Sequence, residues 1–172
     1  EIGKNCIIDS GSVIGADGFG LVKDNNSHYK MPHIGGVVIE DNIWIGSNCC
    51  IDRGTLSNTI IGKGSKLDNL IHIAHNVQIG NNCVIAGQVG IAGSSILKDN
   101  VTLAGQVGLI GHLTIGKGSV VAAKSAVYQS LESGSFVSGI PARHHKDRLR
   151  QDVVISQLPD ILNRIRTLEK EF

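Results

Sequence analysis

The chain has 172 residues, 41% of them hydrophobic, and a formal net charge of +1. This balanced charge does not indicate nucleic acid as a partner, and no apolar run approaches the roughly 20 residues of a membrane span, so we expect at most a peripheral membrane contact. Aromatic residues make up only 3% of the chain whereas 22 residues are Gly, which predicts a narrow aliphatic core with tight corners. Because the chain starts at Glu1 with a repeat already running, we interpret it as a fragment of a longer protein.

The first third of the chain has an aliphatic residue at every sixth position, in two separate pieces. These residues are Ile2, Ile8 and Ile14, and then Ile39, Ile45 and Ile51. Residues 16–33 separate the pieces and are rich in Gly, Asp and Asn, which predicts a projecting loop with a functional role. Residues 52–60 add four residues to the spacing and predict a smaller excursion.

The middle of the chain repeats without a slip. Every sixth residue is aliphatic in the series Ile61, Leu67, Ile73, Ile79, Ile85, Ile91, Leu97, Leu103, Leu109, Ile115, Val121 and Val127. A period of six fits neither an α-helix nor a plain strand. It fits a triangular coil of three short strands, in which each coil takes 18 residues and stacks on the next at about 4.8 Å. We therefore predict an all-β domain, a parallel β-helix, over residues 1–141.

Residues 142–172 are charged and nearly free of Gly, which predicts a separate helical extension. Their apolar residues follow a heptad-like spacing: Val154, Leu158, Ile161, Ile165, Leu168 and Phe172. Pro159 interrupts this seam, so we predict two short helices, the second beginning near Leu158. The start of the extension is basic, which suits an acidic partner. The cluster consists of Arg143, His144, His145, Lys146, Arg148 and Arg150.

The four Cys residues form no CxxC pair, and this pattern argues against a zinc site. Cys6, Cys49 and Cys83 each follow a repeat aliphatic by four residues, in a slot that elsewhere holds Ser or Val. We interpret them as small packing residues of a protein in a reducing cytosol.

The coil geometry predicts which polar residues meet. Residues 18 apart stack on neighbouring coils, so His75 should lie next to Gly93. His112 comes two coils and one residue after His75, and we expect all three on one face within roughly 10 Å. Histidine exchanges protons near neutral pH, which makes His75 a candidate general base. His72 and His75 form an HxxH pair, but no Cys or carboxylate is clearly placed to complete a metal site.

Several strings of the sequence point to one family when they are taken together. They are IGADGFG at 14–20, IDRG at 51–54, DN at 68–69, IAHN at 73–76, GH at 111–112 and SGIP at 138–141. In this order they resemble UDP-3-O-(3-hydroxyacyl)glucosamine N-acyltransferase, the lipid A enzyme of Gram-negative bacteria, and the resemblance covers residues 1–172.

The resemblance implies a cytoplasmic homotrimer of left-handed β-helices with active sites in the clefts between subunits. It implies transfer of an (R)-3-hydroxyacyl chain to the 2-amino group of UDP-3-O-acylglucosamine. The donor is acyl carrier protein, which holds the acyl chain on its 4′-phosphopantetheine arm, and the chain itself is expected to bind no cofactor.

The resemblance also implies roles for individual residues near the stacked histidines. His75 matches the general base that takes a proton from the sugar amine, and Gly93 matches a backbone N–H donor to the developing oxyanion. His112 matches a second active-site histidine that polarises or binds the donor. Asp68 is a candidate to orient His75.

Further expected contacts lie in the loop and in the late coils. Asp17 and Phe19 are candidates to contact the acceptor, and the groove around Tyr128 is expected to limit the acyl chain length. The basic residues expected to dock the carrier protein are Arg143, Lys146, Arg148 and Arg150.

Three other readings of the sequence stay open. The nearest is the related UDP-N-acetylglucosamine O-acyltransferase, which shares the fold and an HIAH-type string, although the GADGFG loop and the SGIP ending favour the N-acyltransferase. A γ-type carbonic anhydrase would need a third zinc-binding histidine near His112, where position 117 holds Lys. A structural or ice-binding β-helix would need a ladder of Thr, but the five Thr residues do not recur at intervals of 18.

Overall fold

The computed structural model describes residues 1–171, and Phe172, the last position of the predicted heptad seam, lies outside the described residues. The strands in chain order are β1 Ile7–Ile8, β2 Val13–Ala16, β3 Leu21–Asp24, β4 Ser27–Lys30, β5 Val37–Ile39, β6 Trp44–Ile45, β7 Cys50–Asp52, β8 Thr59–Ile61, β9 Lys66–Leu67, β10 His72–Ile73, β11 Gln78–Ile79, β12 Val84–Ile85, β13 Gly90–Ile91, β14 Ile96–Leu97, β15 Thr102–Leu103, β16 Gly108–Leu109, β17 Thr114–Ile115, β18 Val120–Val121, β19 Ala126–Val127, β20 Phe136–Ser138 and β21 Arg143–His144. One helix follows, α1 His145–Glu171.

Apart from β3 and β4, the strands form three sheets that are the three sides of a triangular coil, and all pairings in them are parallel except that of β20 with β21. Their orders are β1-β6-β9-β12-β15-β18-β20-β21, then β19-β16-β13-β10-β7-β2, and β17-β14-β11-β8-β5. In this register Ile73 pairs with Ile91 and Ile79 pairs with Leu97, so residues 18 apart are neighbours. The prediction of a left-handed parallel β-helix built from six-residue repeats is confirmed.

The core contains the repeat aliphatics, together with small and aliphatic residues four positions after them, such as Val77, Val89 and Val101. All twelve residues of the series from Ile61 to Val127 are buried, and each buried side chain of this size contributes about 1.5–3 kcal/mol. Ile39, Ile45 and Ile51 are buried as well. The earliest members of the pattern are not, because the described chain places no coil on their open side.

The segment at residues 16–33 contains a two-stranded antiparallel hairpin of β3 and β4. Asn25 and Asn26 form its turn and both have positive φ, at 43° and 64°, which matches the tight hairpin turn that Asn favours. Both strands are exposed to solvent along their length. The predicted projecting segment is therefore an ordered arm beside the β-helix.

The C-terminal extension differs from the prediction of two helices, because α1 is continuous and contains Pro159. Proline lacks the N–H that would bond to the carbonyl of Ile155, so this helix loses one hydrogen bond without ending there. Among the described residues, no helix combines the length and the apolarity that crossing a bilayer requires. The division of the chain after residue 141 stays a prediction.

The start of α1 is attached to the last coil by His145. Its ring stacks on Phe136 with ring centroids 4.2 Å apart, and its Nδ1 lies 2.9 Å from the hydroxyl oxygen of Ser138. The rest of the helix leaves the β-helix, and residues 151–170 are exposed. The apolar positions of the predicted seam that the structure describes, from Val154 to Leu168, are therefore uncovered within a single chain.

Two of the cysteines occupy the core as the sequence predicts. Cys49 and Cys83 are both fully buried, and burial raises the pKa of each thiol. Cys6 is partly buried against the same core, and all three are free thiols. They act as small packing residues.

Candidate functional site

The corner after β10 holds the two residues on which the site is built, His75 and Asn76. Asn76 adopts a left-handed backbone conformation, with a φ of 61°, that Asn tolerates better than most residues. Its backbone N–H donates to Thr59 Oγ1 at 2.9 Å, and its side-chain Nδ2 donates to Ser57 Oγ at 2.8 Å. The excursion at residues 52–60 therefore folds over this corner and fixes Asn76.

The hydrogen bonds of Asn76 determine which nitrogen of His75 carries the proton. Asn76 Oδ1 accepts from the Thr55 N–H at 3.1 Å, and because a backbone N–H can only donate, the amide atom facing it is the oxygen. The same oxygen lies 3.0 Å from His75 Nδ1. An oxygen acceptor requires a proton on Nδ1, so the neutral ring keeps its lone pair on Nε2. This form of the ring can accept a proton from a substrate.

Replacing Asn76 with Asp should move the acid limb of the pH–rate profile to higher pH. A carboxylate next to Nδ1 stabilises the protonated ring, which cannot act as a base, so the active form appears only at higher pH. The measurement is kcat/KM against pH for the full-length protein. Asn100→Asp is the matched control, because Asn100 occupies another corner of the coil with a φ of 59° and is exposed. An unshifted acid limb in the Asn76 variant contradicts the assignment.

The structure brings His75 and Gly93 together on neighbouring coils. A Cβ added to Gly93 would stand 2.6 Å from His75 Cε1 and 2.7 Å from Nε2, so the ring occupies the space that a side chain there would need. The Ser94 N–H donates to the His75 carbonyl at 3.0 Å and holds the two corners in register. Within the described part of the chain, the Gly93 N–H makes no hydrogen bond.

A pocket of about 410 Å³ opens in front of this pair. His75 and Gly93 line it together with His72, Phe19 and Gly90. The pocket lies on the outer face of the sheet that contains β10 and β13, so it is reached from solvent. A free ring nitrogen and a free backbone N–H thus share one concave site.

The floor beside the pocket lacks side chains. Outward positions on the successive strands β13 and β16 are Gly90 and Gly108, and a Cβ at either would meet nothing within 4 Å. On the other two sheets such positions hold larger residues, for example Val84 and Ile96. Glycine weakens a strand interior, and packing does not require it here. The bare strands leave a path open for a long, thin ligand.

The segment Gly18-Phe19-Gly20 packs over the histidines. A Cβ at Gly18 would lie 2.8 Å from His33 Nε2 and 2.9 Å from His75 Cβ, so only glycine fits this close approach. Phe19 is 86% exposed and lines the pocket in front of His75. The His33 ring contacts the His75 ring edge-on, with centroids 5.3 Å apart. The GADGFG string is therefore part of the wall of the site.

His33 is a buried residue of the site that sequence analysis did not identify. Only 5% of it is exposed, and its Nδ1 lies 2.9 Å from the Met31 carbonyl oxygen, which requires the proton on Nδ1. Its Nε2 is buried and has no hydrogen-bond partner among the described residues. His33 therefore packs behind His75 with its Nε2 buried.

A second cavity of about 640 Å³ adjoins the first at Phe19 and His72. Asp17 lines it and forms an ion pair with Lys30 at 2.7 Å, and the hydrogen bond from Lys30 lowers the pKa of this carboxyl group. Asp52 also lines it. Asp17 and Phe19, the two expected acceptor contacts, thus face the same cavity.

Two of the candidate residues, Asp68 and His112, do not line the pocket in front of His75. Asp68 does not orient His75 within the chain, because the partner of His75 Nδ1 is Asn76, and Asp68 Oδ1 instead accepts from Asn69. His112 is exposed, and its backbone N–H donates to the Gly93 carbonyl at 3.1 Å. It does not line the pocket in front of His75, and its role stays a prediction.

The basic cluster surrounds the junction of the last coil and α1. Arg148 pairs with Asp152 at 2.7 Å, and Arg150 lies 3.3 Å from Asp147, so two of the four predicted docking residues have acidic neighbours on the helix. Arg143 and Arg150 line a pocket of about 480 Å³ together with Asp147. Lys146 is exposed beside it. Among the residues that the structure describes, no group of three metal-binding side chains is close enough to hold an ion.

Asp52 and Asn76 are the functional candidates that sequence analysis missed. Asp52 directly follows the inward Ile51, and at the same position of later coils the chain has Ala74 and Ala92. A carboxylate at a position that otherwise holds Ala is the sequence feature that could have identified Asp52. Asn76 could be found as part of the IAHN string but not given a role, because its partners come from the excursion at residues 52–60.

Similarity to known proteins indicates a broad class for the chain. Residues 58–93 match the bacterial transferase hexapeptide family (six repeats). The UDP-N-acetylglucosamine O-acyltransferase of Moraxella catarrhalis superimposes with a TM-score of 0.75 at 27% identity, over 88% of this chain and 60% of that one. The corresponding enzyme of Bacteroides fragilis gives a TM-score of 0.74 at 26% identity, over 83% of this chain and 54% of that one. The chain is therefore a hexapeptide-repeat β-helix similar to those of these acyltransferases.

Sequence relatives are more specific. Proteins named UDP-3-O-acylglucosamine N-acyltransferase match at 49% identity in Geobacter sp. (strain M21), over 93% of this chain and 46% of the relative. Those of Methylobacterium nodulans and Caulobacter sp. (strain K31) match at 45% and 42%, each over 91% of this chain and over 45% and 46% of the relative. The chain is a homologue of the UDP-3-O-acylglucosamine N-acyltransferases, and it spans about half the length of these relatives.

Proposed function

We propose that the protein is an N-acyltransferase that moves an (R)-3-hydroxyacyl chain from acyl carrier protein to the 2-amino group of UDP-3-O-acylglucosamine, in lipid A biosynthesis. The observation that carries this proposal is the His75 ring, whose Nδ1 faces Asn76 Oδ1 and whose Nε2 lies over Gly93 inside an open pocket. The names of the homologues support the same reaction.

The proposed chemistry needs one base and one oxyanion donor. The sugar amine attacks the thioester carbonyl carbon while His75 Nε2 takes a proton from the nitrogen. The carbonyl oxygen becomes negative and is stabilised by the Gly93 N–H. The C–S bond then breaks, the thiol of the carrier's phosphopantetheine arm leaves with a proton, and the amide remains on the sugar. His112 is proposed to bind the donor.

The proposed partners fit the surfaces around the site. The bare strands at Gly90 and Gly108 suit an acyl chain or the phosphopantetheine arm. The next strand of this sheet, β19, ends directly before Tyr128, which we propose limits chain length. Arg143, Lys146, Arg148 and Arg150 are proposed to dock the acidic carrier protein. The chain itself is proposed to need no metal or bound cofactor.

The proposed assembly is a homotrimer in the cytoplasm. Its support is apolar surface that a single chain leaves uncovered. Trp44 is 49% exposed and Val84 is 49% exposed on the outer face of one sheet, and Leu158 is 51% exposed on α1. Packing against further copies of the chain would remove this surface from water.

The direct test is incubation of the full-length protein with 3-hydroxyacyl carrier protein and each of two acceptors. We expect an amide product from UDP-3-O-acylglucosamine and none from UDP-N-acetylglucosamine, measured by mass spectrometry. O-acylation of UDP-N-acetylglucosamine instead would replace the proposal with the related O-acyltransferase activity.

A further inference from the structure

Asp52 is a buried carboxylate without a hydrogen bond. Only 5% of the residue is exposed, and in the described part of the chain no N–H or O–H donates to its side chain. The nearest cationic candidate is His72, whose Nε2 lies 3.8 Å from Oδ2, beyond hydrogen-bonding range. The Asp52 carboxylate lines the 640 Å³ cavity, and the positive charge of Lys30 in that cavity is already paired with Asp17.

The fold gives no reason for a carboxylate at this position. Asp52 pairs in the sheet with Ala16 on one side, and the next strand places Ala74 after Ile73, the partner of Ile51. Both adjacent strands have Ala at the corresponding position, so a methyl group is enough to fill it. A carboxylate that folding largely removes from water and leaves without protein donors costs stability, so we expect Asp52 to oppose folding at neutral pH. Burial raises the pKa of its carboxyl group, in agreement with this cost.

We propose that Asp52 is an acceptor-recognition residue, and that its carboxylate takes a hydrogen bond from an N–H or O–H donor of the amino sugar seated in the adjoining cavity. The inference rests on the proposed function, because it takes the amino-sugar acceptor as the ligand. A sugar ring with an ammonium group and hydroxyl groups supplies the hydrogen-bond donors that Asp52 lacks within the described chain. His72 and Phe19 line both cavities, so a sugar held at Asp52 lies next to the pocket of His75.

The sign of the stability effect follows from the raised pKa. A group whose pKa is raised by folding adds stability below its ordinary pKa of about 3.9, and this contribution is lost as the pH rises through the raised value. Asp52→Asn and Asp52→Ala should therefore both raise the melting temperature at pH 7, and the gain should vanish near pH 4 and below. The titratable groups around Asp52 are His72, His75, His33 and Asp17.

The functional test compares acceptor and donor kinetics in the full-length protein. Asp52→Asn should raise the KM for UDP-3-O-acylglucosamine about tenfold or more, as loss of a charged hydrogen bond implies, and leave the KM for the acyl carrier protein unchanged. Asp160→Asn is the control, because it removes an equal charge from the exposed part of α1 and should change neither KM nor melting temperature.

Calorimetric binding of the substrate and of its N-acylated product identifies the donor. Weaker binding of the amine substrate alone by Asp52→Asn assigns the contact to the ammonium group, and equally weaker binding of both ligands assigns it to a hydroxyl group. Unchanged binding of both, or a melting temperature lowered at pH 7 by both Asp52→Asn and Asp52→Ala, overturns the role. If the wild-type protein neither binds nor acylates the amino sugar, the proposed function itself fails. If the wild-type protein does both and the Asp52 variants bind as well as it does, only the role of Asp52 fails.

Discussion

His75→Ala in the full-length protein should lower kcat/KM for N-acyl transfer by roughly 100-fold or more while leaving the protein folded. General bases typically contribute about 10²–10⁴-fold, and the substitution removes the ring nitrogen whose free lone pair is placed over Gly93. The fold should survive because His75 lies at a half-buried corner outside the core. The measurement is steady-state kinetics, with circular dichroism to verify the fold.

The control for this variant is His28→Ala. His28 lies on the exposed hairpin strand β4, so its removal should leave kinetics and fold unchanged. Near-normal turnover by a folded His75→Ala variant would mean that another group takes the proton from the amine.

Gly93→Ala should abolish most activity with little loss of stability. The new methyl group would overlap the His75 ring, at 2.6 Å from Cε1, and the ring is the free end of a side chain that can rotate away. Rotation relieves the overlap but removes Nε2 from its place in the pocket, and a displacement of about 1 Å can reduce a rate by about 100-fold. We expect a loss of that size in kcat, measured beside the melting temperature.

Gly105→Ala is the matched control for the methyl group itself. Gly105 precedes Gln106, a corner residue with a φ of 60°, as Gly93 precedes Ser94 with a φ of 61°. A Cβ at Gly105 would meet only the Gly87 carbonyl oxygen at 3.6 Å, an ordinary contact. A Gly93→Ala variant as active as the Gly105→Ala variant contradicts the placement of the His75 ring.

The coil could be predicted from the sequence because an inward aliphatic position recurs every six residues. Ile73 and Ile91 are buried partners in the structure as the repeat requires, and the stacking of His75 near Gly93 follows from the same period. The continuous helix is harder to predict from the sequence, because a proline inside a helical pattern usually ends or kinks the helix. Pro159 removes a single hydrogen bond, and the surrounding turns of α1 continue on both sides of it.

The partners of the site could not be predicted because they come from segments that interrupt the repeat. Thr55 and Ser57 reach Asn76 only because the excursion at residues 52–60 folds back over the corner, and no period describes that path. His33 likewise reaches His75 from the far end of the hairpin. Where the six-residue period holds, the spacing of two residues predicts whether they are neighbours on adjacent coils. Where the period is interrupted, contacts depend on the path of the chain, which the repeat does not describe.

The proposed mechanism depends on which nitrogen of His75 is free, and nitrogen NMR of histidine-labelled protein measures this directly. The His75 signals are assigned by their loss in His75→Ala. At neutral pH we predict a protonated Nδ1, bonded to Asn76 Oδ1, and an unprotonated Nε2. A neutral ring with its proton on Nε2 would contradict the account, because that nitrogen could then not accept a proton from the attacking amine.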